Sequence, residues 1–240
     1  MTTPRPVLEM RGIRKTFPGV VALAGVDLTL HAGEVHMLLG ENGAGKSTLM
    51  KILSGAYRKD AGEIRIGGRA VEIAGPRHAL DLGIRVIYQE LNLVPHLSVA
   101  ENIFLGAAPT RLPGVIDRRR LHQQTAALAA DLGMNLDPAA TLSRLSLAQR
   151  QMVEIAKALR QQASILVMDE PTSALTSREV DQLFVLIERL VNRGVAVVYI
   201  THRLGEVYRI GTRVTVLRDG ANVASHLLSG VTVAELVRLM

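Results

Sequence analysis

The sequence predicts an α/β fold in which most strands of the core sheet run parallel. Short and almost uninterrupted apolar runs lie at 34–39, 84–88, 165–168 and 195–200, and such runs are typical of strands buried on both faces. Segments with helical capping or periodicity separate them, and strands that alternate with helices favour parallel pairing. The chain begins differently, because the strand patterns before residue 75 end in a predicted hairpin at 63–73.

The composition is that of a folded protein without disulfide bonds. The 240 residues fit one large domain or two small ones, and 48% of them are hydrophobic. The absence of cysteine excludes disulfides and thiolate metal sites. No apolar run approaches the roughly 18–20 residues that span a bilayer, and the first ten residues lack the apolar segment of a signal peptide. We therefore expect a soluble cytoplasmic protein whose membrane role, if any, comes through a partner.

The formal net charge of +6 leaves three interpretations open. The chain could bind nucleic acid, lie near an anionic membrane surface, or simply be a basic soluble protein. Apart from Arg118-Arg119-Arg120 the basic residues are scattered, and no aromatic residues alternate with them as in a single-strand binding platform. We expect no nucleic-acid partner.

Capping patterns predict where helices begin in the rest of the chain. Residues 91–143 contain helix starts at Ser98 and Asp117 and no β-rich run, which indicates a helical insertion within the α/β domain. Asp219-Gly220 predicts a hairpin turn between two strands. Further helices are expected over 46–54, from Ser146 to about residue 160, from Thr176 to about residue 192, and after Thr232.

Residues 40–47 carry the clearest chemical motif. Their sequence, GENGAGKS, fits the phosphate-binding pattern G-x-x-x-x-G-K-[ST], with a predicted buried strand before it and a helix after it. The glycines let successive backbone N–H groups point inward at an anion. In such a loop Lys46 reaches the β- and γ-phosphates, and the Ser47 hydroxyl ligates Mg²⁺.

Polar side chains follow three of the other predicted buried strands. Asp169 and Glu170 end one strand, Thr201 and His202 end another, and Gln89 follows a third. Ligands of parallel sheets gather at the carboxyl ends of the strands. We expect Asp169 to hold Mg²⁺ and Glu170 to polarise the attacking water, while His202 senses the γ-phosphate and Gln89 contacts the metal or the water.

Ser146 allows two interpretations. With Gln149 three residues on, it forms a capping box that satisfies free N–H groups at a helix start. Helix starts also attract anions, so the same residues could bind a phosphate group. The segment 145–159 alone does not decide between them.

Together, these motifs resemble the nucleotide-binding domain of ATP-binding cassette (ABC) transporters. The phosphate loop, Gln89 in VIYQE, the signature LSLAQ at 145–149, the Asp169-Glu170 pair followed by PTSAL, and His202 occur in that family's order. The resemblance implies one ABC ATPase domain over 1–240, with a mostly parallel core sheet and an antiparallel β subdomain in 1–90 and 144–240, and a helical subdomain at about 91–143. It implies ATP and Mg²⁺ as ligands, with Ser47, Gln89 and Asp169 at the metal and Lys46, Gln89, Glu170 and His202 in catalysis.

The family's nucleotide lies between two such domains. The resemblance therefore implies that Ser146, Ala148 and Gln149 face the γ-phosphate bound by the other domain. It also implies that an aromatic residue near the N-terminus, here Phe17, stacks on adenine. The residues expected to bind ATP in cis are Phe17, Gly40, Glu41, Asn42, Gly43, Ala44, Gly45, Lys46, Ser47 and Thr48.

The sequences of these motifs resemble those of the sugar-import ATPases of the ribose, galactose and xylose type. Those proteins usually carry two such domains in one chain of about twice this length, so this chain resembles their N-terminal half or a stand-alone subunit. The resemblance implies a second nucleotide-binding domain, in the same longer chain or as a homodimer. It also implies transmembrane permease subunits docked on 89–143, a secreted sugar-binding protein as an indirect partner, and a peripheral position at the cytoplasmic face of the membrane.

Other functions within the family stay open. The solute could instead be a nucleoside or an autoinducer. A non-transport ABC ATPase acting on ribosomes or DNA would carry a longer helical insertion than the interval between Gln89 and Ser146 allows, and an export ATPase fused to a membrane domain would need membrane spans. Two departures from the general family pattern, Leu147-Ala148 for the signature glycines and Thr176 for a common aspartate, suit the sugar-import subgroup.

Overall fold

The computed structural model describes residues 6–89, 91–173 and 175–240. The strands are β1 (Pro6–Phe17), β2 (Val20–His31), β3 (Val35–Leu39), β4 (Ala61–Ile66), β5 (Arg69–Ala70), β6 (Ile84–Ile87), β7 (Thr110–Leu112), β8 (Val115–Ile116), β9 (Ile165–Asp169), β10 (Ala196–Ile200), β11 (Arg213–Arg218) and β12 (Ala221–Leu227). The α-helices are α1 (Lys46–Leu53), α2 (Pro76–Asp81), α3 (Val99–Ile103), α4 (Arg118–Leu132), α5 (Leu147–Leu159), α6 (Ser177–Asn192), α7 (Leu204–Ile210) and α8 (Val233–Leu239).

The chain folds into two compact units. The core unit comprises the residues up to Val86, Ala163–Glu170 and Leu190–Met240, and the helical unit comprises Ile87–Gln162 and Pro171–Arg189. Each unit is described by itself below. None of the helices in the described part of the chain is long and apolar enough to cross a membrane.

A six-stranded sheet in the order β12-β11-β3-β10-β9-β6 forms the centre of the core unit. Strand β3 pairs in parallel with β10 and β11, and β10 pairs in parallel with β9, whereas β11 and β12 are antiparallel. Every residue of β3 and β10 is buried, as are the first four of β9. The expectation of a mostly parallel sheet whose strands are covered on both faces is confirmed.

The register of these strands aligns their carboxyl ends. Ile200 of β10 is opposite Leu38 of β3 on one side and Asp169 of β9 on the other. Strands β3, β10 and β9 are neighbours in the sheet, so the segments that follow them leave from the same edge. The phosphate loop, His202 and the Asp169-Glu170 pair belong to those segments.

A second, antiparallel sheet in the order β2-β1-β4-β5 lies in the same unit. Alternate residues of β1 and β2 are buried, and they join a hydrophobic cluster that also contains Leu38, Leu49 and Val198. The two short strands expected at 7–10 and 13–16 are one strand, because register shifts around Gly12, with φ 58°, absorb the irregular pattern without ending the pairing.

The helical unit is built on α3, α4, α5 and most of α6. Ser98 and Asp117 cap the first two helices as expected, each accepting a hydrogen bond from a backbone N–H of its helix. Asn102 is fully buried, and its side chain bonds the backbone of Val94, Leu97 and Ser98, which fixes the segment before α3. The expectation of no strands here was wrong, because β7 and β8 form a small hairpin between α3 and α4. Their two or three residues are too short for a recognisable alternation.

Candidate active site

The loop between β3 and α1 has the conformation that its glycines predict. Gly40, Gly43 and Gly45 have φ of 144°, 87° and 102°, a region that residues with a side chain rarely adopt. A Cβ on Gly40 would overlap the carbonyl oxygen of Leu217, and one on Gly45 would lie 2.8 Å from that of Ala22. Residues 42–48 line a cavity of about 190 Å³ together with residues 20–22.

Lys46 lies inside this loop. Its Nζ donates hydrogen bonds to the carbonyl oxygens of Gly40 at 2.7 Å and Glu41 at 3.0 Å. Burial lowers the pKa of Lys46, and the negative charges of Asp169 and Glu170 partly restore it. Those two carboxylates therefore favour the charged ammonium that a phosphate site needs.

Asp169 ends β9 and is half-buried. Burial raises the pKa of its carboxyl group, and the neighbouring Glu170 raises it further, whereas Lys46 and Lys51 lower it. A further cation would stabilise the charged form of these two adjacent, partly desolvated carboxylates. This arrangement favours a bound metal ion beside Lys46.

Glu170 has a left-handed backbone with φ 48°, which is uncommon outside glycine. Its N–H donates to the carbonyl oxygen of Ile200 at 3.0 Å, and its Oε1 lies 3.1 Å from Nδ1 of His202. The two functional strand ends, of β9 and β10, are thus joined by one backbone and one side-chain hydrogen bond. Backbone strain of this kind clusters at functional sites.

A buried network that the sequence patterns do not indicate supports the turn that carries His202. Glu206 of α7 accepts hydrogen bonds from Tyr199 Oη at 2.9 Å and Thr201 Oγ1 at 3.0 Å, and Thr201 Oγ1 accepts one from the N–H of Arg203. His202 lies between two residues held in this way. An acidic residue in a helix has no sequence signal that distinguishes this buried role from an exposed one.

Phe17 lies at the end of β1 with 36% of its surface exposed. Its ring packs edge-on against Tyr57, with centroids 5.3 Å apart, and the Lys15 ammonium is 5.5 Å from its centroid. Asp60 holds the preceding residues, because it accepts hydrogen bonds from Lys15 Nζ, Thr16 N–H and Thr16 Oγ1. These bonds lower the pKa of Asp60 to about 2. Tyr57 and Asp60 were not predicted as site residues because neither belongs to a sequence motif.

The other predicted site residues belong to the helical unit. Gln89 is exposed and follows β6. Ser146 caps α5: Gln149 N–H donates to Ser146 Oγ at 3.2 Å, and Ser146 N–H donates to Gln149 Oε1 at 3.0 Å. Ala148 is buried and Leu147 is 45% exposed. Ser146, Ala148 and Gln149 line a cavity of about 700 Å³ within this unit.

The structure thus brings part of the predicted site together in the core unit. The phosphate loop, Lys46, Asp169, Glu170 and His202 are assembled there, and the capping box predicted at Ser146 is confirmed. Glu41, Asn42, Gly43 and Ser47 of the loop are exposed and Thr48 is half-buried.

The residues present fit Mg²⁺ bound together with a nucleotide. Within residues 6–89, 91–173 and 175–240, no group of three or more His, Cys, Asp or Glu residues could hold a metal ion. Mg²⁺ is commonly held by one or two carboxylates, several waters and the phosphates of a substrate, rather than by a cage of protein ligands. Asp169 supplies such a carboxylate and Ser47 an exposed hydroxyl at the start of α1.

A sequence model of the family described as ABC transporter matches residues 23–173. The chain belongs to the ABC transporter family. The match includes the phosphate loop, the signature segment and the Asp169-Glu170 pair, and ends before His202.

Two curated relatives of this chain are named as import ATP-binding proteins. The chain is 58% identical over 236 residues to a ribose import ATP-binding protein, RbsA 1, of Rubrobacter xylanophilus, covering 98% of this chain and 47% of that protein. It is 51% identical over 238 residues to a putative ribose/galactose/methyl galactoside import ATP-binding protein of Burkholderia ambifaria, covering 99% and 46%. The chain spans about half the length of the curated relatives it matches.

Solved ABC cassettes share the fold. A nucleotide-free ATP-binding cassette superimposes with a TM-score of 0.82 at 23% identity, covering 98% of this chain and 95% of that one. A bacterial cassette solved as a dimer gives a TM-score of 0.77 at 25% identity, covering 93% and 100%. The predicted ABC-type fold is confirmed.

Alanine substitutions of two loop glycines separate steric overlap from backbone strain. Both Gly40 and Gly43 have positive φ, but a Cβ on Gly43 would have no neighbour within 4 Å. Gly43→Ala should lower the free energy of unfolding by about 1–2 kcal/mol through backbone strain alone. Gly40→Ala should cost about 1–3 kcal/mol more, because its Cβ meets the backbone of Leu217. Urea titrations of the two variants measure the difference, and equal losses would contradict this account of the loop.

Proposed function

We propose that this chain is an ATP-binding and ATP-hydrolysing domain of an ABC importer. The importer takes up a monosaccharide such as ribose, galactose or xylose. The observation that carries the proposal is the assembly of Lys46, Asp169, Glu170 and His202 at one edge of the core sheet. The names of the relatives support the substrate class, since they describe ribose and ribose/galactose import. Residues 1–240 form one ABC ATPase domain made of the core unit and the helical unit, and its helical part includes α5 and most of α6 in addition to the 91–143 expected from the sequence.

ATP binds in the loop after β3. The backbone N–H groups of residues 40–48 surround the phosphates, and the Lys46 ammonium, which now bonds the carbonyls of Gly40 and Glu41, turns to the β- and γ-phosphate oxygens. Phe17 lies against the adenine ring, held in place by the bonds of Asp60 to Lys15 and Thr16. The partly exposed face of Phe17 makes this contact available.

Hydrolysis depends on Glu170. Its carboxylate orients the attacking water and accepts its proton, and the hydrogen bond from His202 fixes the carboxylate in position. Ser47, Asp169 and Gln89 would hold Mg²⁺, which when bound neutralises charge on the transferred phosphoryl group. Gln89 also contacts the attacking water, and His202 contacts the γ-phosphate.

A second nucleotide-binding domain completes each site. Ser146, Ala148 and Gln149 of one domain face the γ-phosphate held by the other, in the same longer chain or in a homodimer. The N-terminus of α5 and the exposed Ser146 are suited to an anion that comes from outside the chain. The dimeric cassette among the solved relatives supports this arrangement.

The remaining partners follow from the importer assignment. Transmembrane permease subunits dock on the helical subdomain, and a secreted sugar-binding protein delivers the solute to them. The domain works at the cytoplasmic face of the membrane as a peripheral subunit without nucleic acid.

Substitution of Glu170 tests its role in hydrolysis. Glu170→Gln keeps the shape and the capacity to bond His202 but removes the base, so ATP turnover should fall about 10²- to 10⁴-fold while the ATP dissociation constant changes little. Steady-state phosphate release and equilibrium titration with ATP measure the two quantities separately.

Glu188→Gln is the matched control, because Glu188 is exposed on α6. It should leave both the turnover and the dissociation constant unchanged. A Glu170→Gln variant that hydrolyses ATP at the normal rate would show that another group is the base.

Two capping serines of the helical unit separate stability from function. Ser146→Ala and Ser98→Ala each break a capping box, so each should lower the free energy of unfolding by about 1 kcal/mol. Only Ser146→Ala should also reduce ATP turnover strongly with ATP binding intact, because its hydroxyl meets the γ-phosphate of the other domain. Chemical denaturation, ATP titration and turnover of both variants test this, and equal turnover in the two would leave Ser146 as a cap alone.

A further inference from the structure

An exposed apolar segment in the helical unit has no place in the ATPase site. The basic hairpin, as we call residues 105–120, consists of the β7–β8 hairpin, the residues leading into it and the first turn of α4. Leu105, Leu112, Val115 and Ile116 have 49%, 67%, 52% and 46% of their surfaces exposed. Leu112 and Val115 are cross-strand partners in β7 and β8, and adjacent exposed apolar groups of this kind mark interaction surfaces.

The same segment carries a concentrated positive charge. Its basic residues are Arg111, Arg118, Arg119 and Arg120, all exposed, and its single acidic residue is Asp117. The Asp117 carboxylate is already engaged, because it caps α4 by accepting from the N–H of Arg120 and lies 4.0 Å from Arg111. The segment therefore presents a net positive surface beside its apolar side chains.

The position of three of these arginines argues that they serve something outside the helix. Arg118, Arg119 and Arg120 fill the first turn of α4, which contains no acidic residue. The N-terminus of a helix carries partial positive charge, so cations there are unfavourable for the helix itself. The pKa of Glu101 in α3 is lowered by hydrogen bonds from Ser98 and also by the charge of Arg118, but a local role in stabilising α4 does not account for the three arginines.

We propose that the basic hairpin contacts the anionic lipid headgroups of a membrane surface. Exposed aliphatic side chains next to arginines match such a surface, because the apolar groups enter the headgroup boundary while the guanidinium groups pair with lipid phosphates. The cytoplasmic loops of membrane proteins are themselves enriched in Lys and Arg, which makes them poor complements.

This contact is additional to the proposed ATPase function, and it leaves the rest of the helical subdomain, outside residues 105–120, for the proposed permease subunits. It gives the domain a direct hold on the bilayer and would orient the helical unit towards it. None of its residues binds nucleotide or metal in the proposed mechanism, so the two proposals can fail separately.

Sedimentation with lipid vesicles tests the contact. The 240-residue chain should bind vesicles containing phosphatidylserine and phosphatidylcholine better than vesicles of phosphatidylcholine alone, and binding should weaken as ionic strength rises. Arg118→Gln, Arg119→Gln and Arg120→Gln combined should reduce binding about tenfold or more. Leu112→Ser with Val115→Ser should also reduce it, at unchanged net charge.

Two control variants make the result specific. Arg69→Gln, Arg77→Gln and Arg238→Gln combined remove the same charge from exposed positions in the core unit, and Val233→Ser with Val237→Ser remove exposed valines of α8. Both controls should bind like the unmodified chain.

Equal binding to the two kinds of vesicle, or equal losses in hairpin and control variants, would overturn the proposal. So would hairpin variants that bind vesicles normally but no longer co-purify with a permease, since the surface would then serve a protein. ATP turnover without vesicles reports on the ATPase proposal independently.

Discussion

The half-buried ammonium of Lys46 is the group on which the core site depends. It bonds two carbonyl oxygens of its own loop, and its charge offsets the two carboxylates of Asp169 and Glu170 at the end of β9. Without it, two adjacent carboxylates would face each other in a partly desolvated position, and the loop would lose its internal bonds. The glycines serve the same arrangement, because only residues without a Cβ let the loop approach Leu217 and Ala22 so closely.

The parallel sheet makes this proximity possible. Residues far apart in the chain meet because β3, β10 and β9 are neighbours and end at the same level. The backbone strain at Glu170 is held by its bond to Ile200 and by the contact of its side chain with His202. The geometry of the base is thus set by two strands rather than by one flexible side chain.

Features that depend on residues close together in the sequence were predicted, whereas features that depend on distant partners were not. The phosphate loop, the buried strands and the capping boxes at Ser98, Ser146 and Thr232 depend on residues close in sequence, and all were predicted. Asp60 and Glu206 act through partners on other elements, and no local pattern marks them. Helix α2 and the β7–β8 hairpin were missed because they are short. The hairpin turn at Asp219-Gly220 was predicted, but its position against the phosphate loop was not. That position depends on a tertiary hydrogen bond from Gly220 N–H to the carbonyl oxygen of Ala44.

The most direct test of the account is an equilibrium titration of ATP against two lysine variants. Lys46→Ala removes the ammonium from the phosphate loop, whereas Lys59→Ala removes the same charge from an ion pair with Glu72 elsewhere in the same unit. The account predicts that Lys46→Ala abolishes tight ATP binding and that Lys59→Ala binds ATP like the unmodified chain. Tight ATP binding by a folded Lys46→Ala variant would contradict it.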